Sequence, residues 1–216
     1  MKKVFIHVGL HRTGTTFLQQ HVFPQFPAKF FHMDAVNIRY KTLLAEGINI
    51  LSSEYFSGSP LNFEDPNYCA DDRYEIADLM KKLYPDAEII LVLRGRDDWK
   101  RSLYNQYTKS QGFITREQFD KQFDDDYLKF DVYIKYLEEL FTIFKVHVLA
   151  YEELKENHQR FVNRICDIIG IPRMQVKNVI YNKSLTKGQE RYLEIIRNIN
   201  NFMIKKLRFG MERLNR

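Results

Sequence analysis

Near the amino terminus a short apolar run, Val4-Phe5-Ile6-His7-Val8, gives way to a loop bracketed by Gly9 and Gly14. That loop opens into Thr15-Thr16-Phe17-Leu18. The pattern reads as a strand, a tight glycine loop and the first turn of an amphipathic helix. A chain that turns this sharply presents a run of backbone N–H groups beside the positive end of the helix. Those donors converge on one point, so the segment is an anion cradle suited to a phosphate-like group.

The glycines have the Gly-x-x-x-x-Gly spacing of the phosphate loops in ATPases and kinases. Those loops carry a lysine directly after the second glycine to neutralise the terminal phosphates. Here Thr15 stands in that place, and the cation, Arg12, comes three residues earlier. The loop is expected to grip a phosphate-like group other than ATP.

At 216 residues the chain can form one sizeable domain over 1–216, with 187–216 as a basic helical segment. Its two cysteines, Cys69 and Cys166, lie far apart and outside metal-ligand spacing. They read as reduced thiols, which fits a cytoplasmic location. No apolar run reaches the roughly 18 residues of a membrane span. The apolar run after Met1-Lys2-Lys3 stops too early, at His11-Arg12, for a secretory signal. The net charge of +5 is local, because residues 187–216 hold eight Lys and Arg against three Glu and leave 25 of each sign before them. A surface that binds nucleic acid is therefore not expected.

Apolar strand-like runs alternate with helical patterns, which argues for an α/β fold around a mostly parallel sheet. The strand candidates are 3–8, 48–52, 88–93 and 145–149. Helices are expected over 14–22, 73–83 (capped by Asp71-Asp72), 99–109 (capped by Asp97-Asp98), 130–142, 152–168 and 187–209. Thr115-Arg116-Glu117-Gln118 has the form of a capping box. Ligands in such sheets sit beyond the carboxyl ends of the strands. The loops starting at Gly9, Ser53, Arg94 and Ala150 should share one cleft.

Three of those strand ends carry polar residues that a fold alone does not need. Glu54 follows the second strand. Arg94 leaves the third, and Ser102 comes eight residues later inside the next helix. An arginine fork with a hydroxyl on a helix suits a dianionic phosphate monoester. Together with the first loop this gives two anion sites, as for a ligand phosphorylated at both ends. Arg96 and Arg101 read as surface charges, and His7 as a satisfied core histidine.

On these residues the chain resembles the sulfotransferases that use 3′-phosphoadenosine 5′-phosphosulfate (PAPS). Gly9-Leu10-His11-Arg12-Thr13-Gly14-Thr15-Thr16 matches the family's 5′-phosphosulfate loop, and Arg94 with Ser102 matches its 3′-phosphate site. Tyr151-Glu152-Glu153-Leu154 resembles the stretch whose tyrosine lies near the adenine. More weakly, Asn182-Lys183-Ser184-Leu185-Thr186-Lys187-Gly188 is similar to the late loop that closes over the nucleotide. The resemblance runs from residue 4 to about 188. One departure is Arg12, where animal members usually have lysine. Arginine keeps the charge but stays protonated, so its role there must be electrostatic.

The resemblance implies transfer of a sulfuryl group from PAPS to a hydroxyl or amine of a carbohydrate or small metabolite, with adenosine 3′,5′-bisphosphate (PAP) as product and no metal. The 5′-phosphate is expected at the N–H groups of Thr13, Gly14, Thr15 and Thr16 and the Thr15 and Thr16 hydroxyls. The 3′-phosphate is expected at Arg94, Ser102 and Lys187, beside Gly188. Arg12 would stabilise the leaving group, Glu54 would be the general base and His11 would touch acceptor or sulfate; His32 and Asp34 are rival bases. Acceptor choice is expected to lie in the aromatic-rich stretches 24–40, 56–70 and 108–128. The last helix packs its apolar face on the domain, or offers a basic amphipathic surface to a partner or a second copy. The alternatives are an atypical phosphate-loop kinase or NTPase and a non-catalytic anion-binding protein.

Overall fold

In the computed structural model, which describes residues 2–34, 37–58, 73–110, 115–123 and 125–176, the amino-terminal apolar run is the central strand of the sheet. The strands are β1 (Lys2–Gly9), β2 (Lys29–His32), β3 (Gly47–Ser53), β4 (Glu88–Leu93) and β5 (Val146–Ala150), in the spatial order β2-β3-β1-β4-β5. Every pairing among them is parallel. The fold is thus α/β, a central sheet with helices on both faces. From β1 the chain builds first toward β3 and then toward β4. The loop after β1 therefore leaves the sheet where the strand order reverses, and that is where a parallel sheet opens a crevice.

Alternation along the strands supplies both cores. Phe5, Ile50, Ile90 and Val92 face one side. There they meet α1 (Thr15–Phe17) and the turns after it, Leu154 of α6 (Tyr151–Glu156), and Phe161, Val162 and Ile165 of α7 (His158–Ile169). Ile6, Val8, Leu51, Ile89 and Leu91 face the other side. They pack on Ile76 and Met80 of α2 (Arg73–Leu83) and on Tyr133, Leu137 and Phe141 of α5 (Phe130–Phe141). A third cluster caps the carboxyl end of the sheet. Here Trp99 and Leu103 of α3 (Arg96–Ser110) meet Phe119 of α4 (Arg116–Gln122), together with Leu10, Phe123, Tyr127 and Phe130.

Several expectations need correction. The helix after the loop is α only over Thr15–Phe17. It widens to a π turn over Leu18–Val22, where the Phe23 N–H returns to the Leu18 carbonyl, and then tightens over Phe23–Gln25, where Pro24 ends it. The wider turn lets Leu18, Val22 and Phe23 all face the sheet. Residues 24–40 are not wholly loop, because β2 adds a four-residue edge strand to β3. Asp97 and Asp98 lie inside the first turn of α3 rather than capping it. The helix expected over 152–168 is two, broken at Asn157, whose side chain accepts from the Arg160 N–H and starts α7. The capping box at Thr115 forms in both directions with Gln118. Asp71, Asp72, Cys69, the helix over 187–209, Lys187 and Gly188 lie outside the described residues.

Candidate functional site

The glycine loop is shaped by close approach. A Cβ on Gly9 would sit 2.6 Å from Thr15 Oγ1, so only glycine lets the strand end lie against the first helical turn. Gly14 has φ +85°, and a Cβ there would meet Leu154 Cδ2 at 2.5 Å. Arg12 is also left-handed, at φ +65°, which costs a non-glycine residue roughly 1–3 kcal/mol unless its surroundings impose it.

The surroundings do impose it. Four successive loop carbonyls are each held by side chains. The Ser57 hydroxyl donates to Gly9 O at 3.2 Å. Thr13 and Thr15 donate to Leu10 O at 2.6 and 3.3 Å. Trp99 Nε1 donates to His11 O at 2.5 Å, and Arg94 Nη1 to Arg12 O at 3.2 Å. With each carbonyl dipole answered by a donor, its negative end no longer opposes an anion at the loop. The Thr15 hydroxyl, expected at the 5′-phosphate, is turned to the Leu10 carbonyl here. That group is buried, so its proton needs an internal acceptor, and Leu10 provides one.

Arg12 and Arg94 lie side by side. Arg94 is 8% exposed and sits over the Tyr151 ring at 4.9 Å. Among the described residues its buried Nε has no hydrogen-bond partner, and the Asp98 carboxylate lies 3.6 Å from its Nη2. Arg12 Nε donates to Ser102 Oγ at 3.1 Å. Ser102 therefore serves Arg12 here, where the sequence pairs it with Arg94. Burial lowers the pKa of the Arg12 guanidinium, and the nearby charge of Arg94 lowers it further, against opposing pulls from Tyr151 and Glu54. Two neighbouring cations, one of them with an unused buried donor, leave excess positive potential that an anion would relieve. Tyr151 closes this side, because its ring lies under Arg94 and beside Gly14, and the neighbouring Glu152 accepts from the Gly95 N–H at 3.2 Å.

On the other side of the loop, His11 Nδ1 lies 3.0 Å from Glu54 Oε2. Burial pushes the Glu54 carboxyl pKa up. The hydrogen bond and charge of His11, with Arg12 and His7 behind them, outweigh that and hold it below the ordinary range. Glu54 is thus a carboxylate at neutral pH, oriented by an imidazole and able to accept a proton. His7 is buried deeper. Its Nδ1 is 2.7 Å from Ser52 Oγ, which also accepts from Gln19 Nε2 at 3.0 Å, but its Nε2 has no partner. The expected satisfied histidine is therefore half satisfied, and burial pushes its pKa down to about 4.

The remaining candidates separate from this cluster. Asp34 accepts from the Asn37 N–H at 2.7 Å at the surface, and His32 ends the edge strand, exposed. Arg96 pairs with Asp131 and Arg101 with Asp98 at the surface. Sequence reasoning passed over Ser57, Trp99 as a hydrogen-bond donor, and Tyr127. The one available signal was that Trp99, the single tryptophan, follows Arg94 within the same motif. Among the described residues no group of three or more His, Cys, Asp or Glu is placed to hold a metal, and no helix is long and apolar enough to cross a membrane.

Comparison with known proteins matches this arrangement to a family. The model of the sulfotransferase domain matches residues 2–211. Among solved structures, a sulfotransferase from Alicyclobacillus acidocaldarius aligns over 96% of both chains at 17% identity, with a TM-score of 0.52. A mouse sulfotransferase complexed with PAP aligns over 91% of this chain and 64% of its own at 13% identity, with a TM-score of 0.44. A sulfotransferase domain from the curacin biosynthetic pathway aligns over 79% of this chain and 74% of its own at 13% identity, with a TM-score of 0.49. No curated protein sequence matches. With the family model spanning nearly the whole chain over this sheet and loop, the chain belongs to the sulfotransferase family.

Proposed function

We propose that this sulfotransferase takes PAPS as donor and moves its sulfuryl group to a hydroxyl or amine of a carbohydrate or small metabolite. The observation that carries the reading is the convergence of two arginines on the glycine loop, Arg12 within it and Arg94 on the Arg12 carbonyl, with the ionised Glu54 held against His11 on the loop's far side. PAPS supplies an activated sulfuryl group and two separate anions, one for the loop N–H groups with Arg12 and one for Arg94.

The 5′-phosphate sits at the backbone N–H groups of Thr13 to Thr16, and the 3′-phosphate at Arg94, with Lys187 and Gly188 in the closing loop. Ser102 orients Arg12 through the 3.1 Å hydrogen bond. Tyr151 packs against the adenine. Glu54 accepts the proton as the acceptor oxygen or nitrogen bonds to sulfur, and the bond from sulfur to the bridging oxygen breaks in line. Arg12 answers the charge that gathers on the departing phosphate. It does so electrostatically, since a guanidinium does not give up its proton. Positioning and charge supply the catalysis, with the base adding about 10²–10⁴-fold. The protein works in the cytoplasm, and its basic carboxyl-terminal segment meets a partner or a second copy.

The test is thermal: PAP should raise the melting temperature in a concentration-dependent way, and ATP with Mg²⁺ should not. Radioactive sulfate should then pass from PAPS to members of an acceptor panel. Stabilisation by ATP–Mg²⁺ alone would favour a kinase, and PAP binding without transfer to any acceptor would favour a non-catalytic role.

A further inference from the structure

A closed ring of contacts joins the two halves of the site. The Ser57 hydroxyl shares its single proton between the Gly9 carbonyl at 3.2 Å and the Glu54 carbonyl at 2.9 Å. The Ser57 carbonyl accepts from the Tyr127 hydroxyl. The Tyr127 ring stacks on Trp99, centroids 5.4 Å apart and planes 11° from parallel, and the Trp99 indole N–H returns to the loop at His11 O. His11 then reaches across to Glu54, 3.0 Å away. Three of its members are buried, Ser57 and Trp99 at 0% exposure and Tyr127 at 4%, while His11 and Glu54, which close it, are partly exposed.

The ring is anchored from outside. Arg73 Nη1 donates to the Tyr127 carbonyl at 2.8 Å and Nη2 to the Asp126 carbonyl at 3.1 Å, while its guanidinium faces the Tyr127 and Tyr133 rings at 4.8 and 4.7 Å. That fixes the short turn Asp125–Leu128. Burial raises the Tyr127 hydroxyl pKa far above its usual value, so it remains a donor at any working pH.

We propose that Ser57, Tyr127 and Trp99 are positioning residues that make the anion loop and the Glu54 turn one mechanical unit, so that filling the loop orders the base. None of the three needs to touch donor or acceptor. The proposal rests on the PAPS reading only for its probe ligand. The physical reason is that the Gly9 and Glu54 carbonyls share one buried donor, the Ser57 hydroxyl, while the stacked Tyr127 and Trp99 tie the Ser57 carbonyl to the His11 carbonyl. A shift of one therefore unpairs a polar group in the other, and unpaired buried groups are costly.

Hydrogen exchange on the full chain tests it, with wild type, Tyr127→Phe and Ser57→Ala compared with and without PAP. Without ligand, each substitution should speed exchange by roughly three- to tenfold, both at residues 54–58 and across the ring at 10–14, and leave β4 and α7 unchanged. With PAP, protection in the wild type should extend from the loop to residues 54–58 and 125–128. In both variants it should stop at the loop, with the PAP dissociation constant changed by less than about threefold, the split a general loss of stability would not produce. If ligand-free exchange at 10–14 stays at the wild-type rate in both variants, or PAP still protects 54–58 in them, the proposal is overturned. If Tyr127→Phe does not fold, Ser57→Ala decides alone. A wild type that PAP fails to protect anywhere would sink the PAPS reading, while the ligand-free rates would still decide the ring.

Discussion

Replacing Arg94 by alanine separates the anion site from the fold. In the ligand-free protein the change has opposing effects. It removes the tether on the left-handed Arg12 carbonyl and the contact with Tyr151 at 4.9 Å, together worth about 1–2 kcal/mol. It also relieves the repulsion between the buried Arg94 and the partly buried Arg12, whose pKa the neighbouring charge lowers. Folding stability should therefore change by less than about 1 kcal/mol. With an anion present nothing offsets the loss, and the missing charge-assisted hydrogen bond is worth about 1.5–3 kcal/mol. PAP should bind roughly 10- to 150-fold more weakly, by calorimetry. Arg94→Lys, which keeps the charge without the fork, should fall between the two. An affinity for PAP within twofold of wild type in Arg94→Ala would remove this residue from the site. A collapse of the ligand-free melting temperature would show that its main work is structural.

Other substitutions address the base, the buried histidine and the loop. Glu54→Gln should cut sulfate transfer by about 10²–10⁴-fold to any acceptor the wild type uses, with PAP affinity kept within twofold; normal turnover would end its role as base. His7 stays neutral in the folded protein down to about pH 4, whereas the unfolded chain takes up the proton near 6.5, so the unfolded state binds more protons in between. Stability should be full above about pH 6.5 and fall by roughly 3 kcal/mol toward about pH 4, measured by urea unfolding. His7→Asn should flatten that slope, and an unchanged slope would refute the assignment. Gly14→Ala forces an L residue to φ +85° and a methyl to within 2.5 Å of Leu154, and should lower the melting temperature by several degrees in calorimetry. A melting temperature equal to wild type would contradict that backbone geometry.

Much of the sheet is legible because its strands are unambiguous. The run Glu88–Leu93 has no polar interruption and is buried on both faces, as its composition implies. Lys29–His32 was illegible because a four-residue edge strand just after Pro27 carries no periodicity, and only its pairing with β3 defines it. The break at Asn157 is a similar case. The apolar spacing runs on through it, and only the cap at Arg160 reveals two helices. The anion loop reads directly from its glycines. The partner of Ser102 does not, because spacing along one helix specifies Arg94, while Arg12 reaches the same hydroxyl from another segment. The Ser57–Tyr127–Trp99 ring leaves no pattern in the chain at all, since its members are far apart in sequence and meet only in the fold, Trp99 on Tyr127 in the third core cluster and Tyr127 on the Ser57 carbonyl.

The four tethered carbonyls of Gly9, Leu10, His11 and Arg12 bear on how fast a donor can come and go. A receptor rigid before encounter needs no slow isomerisation after it, so association at this end should follow diffusion and electrostatic attraction toward the paired arginines. The conformational entropy of the loop is lost during folding rather than during each catalytic cycle, which leaves more of the donor's contact energy expressed as affinity. If the donor is PAPS, such a pocket should also hold the spent nucleotide firmly. Turnover would then be governed by how readily the product departs.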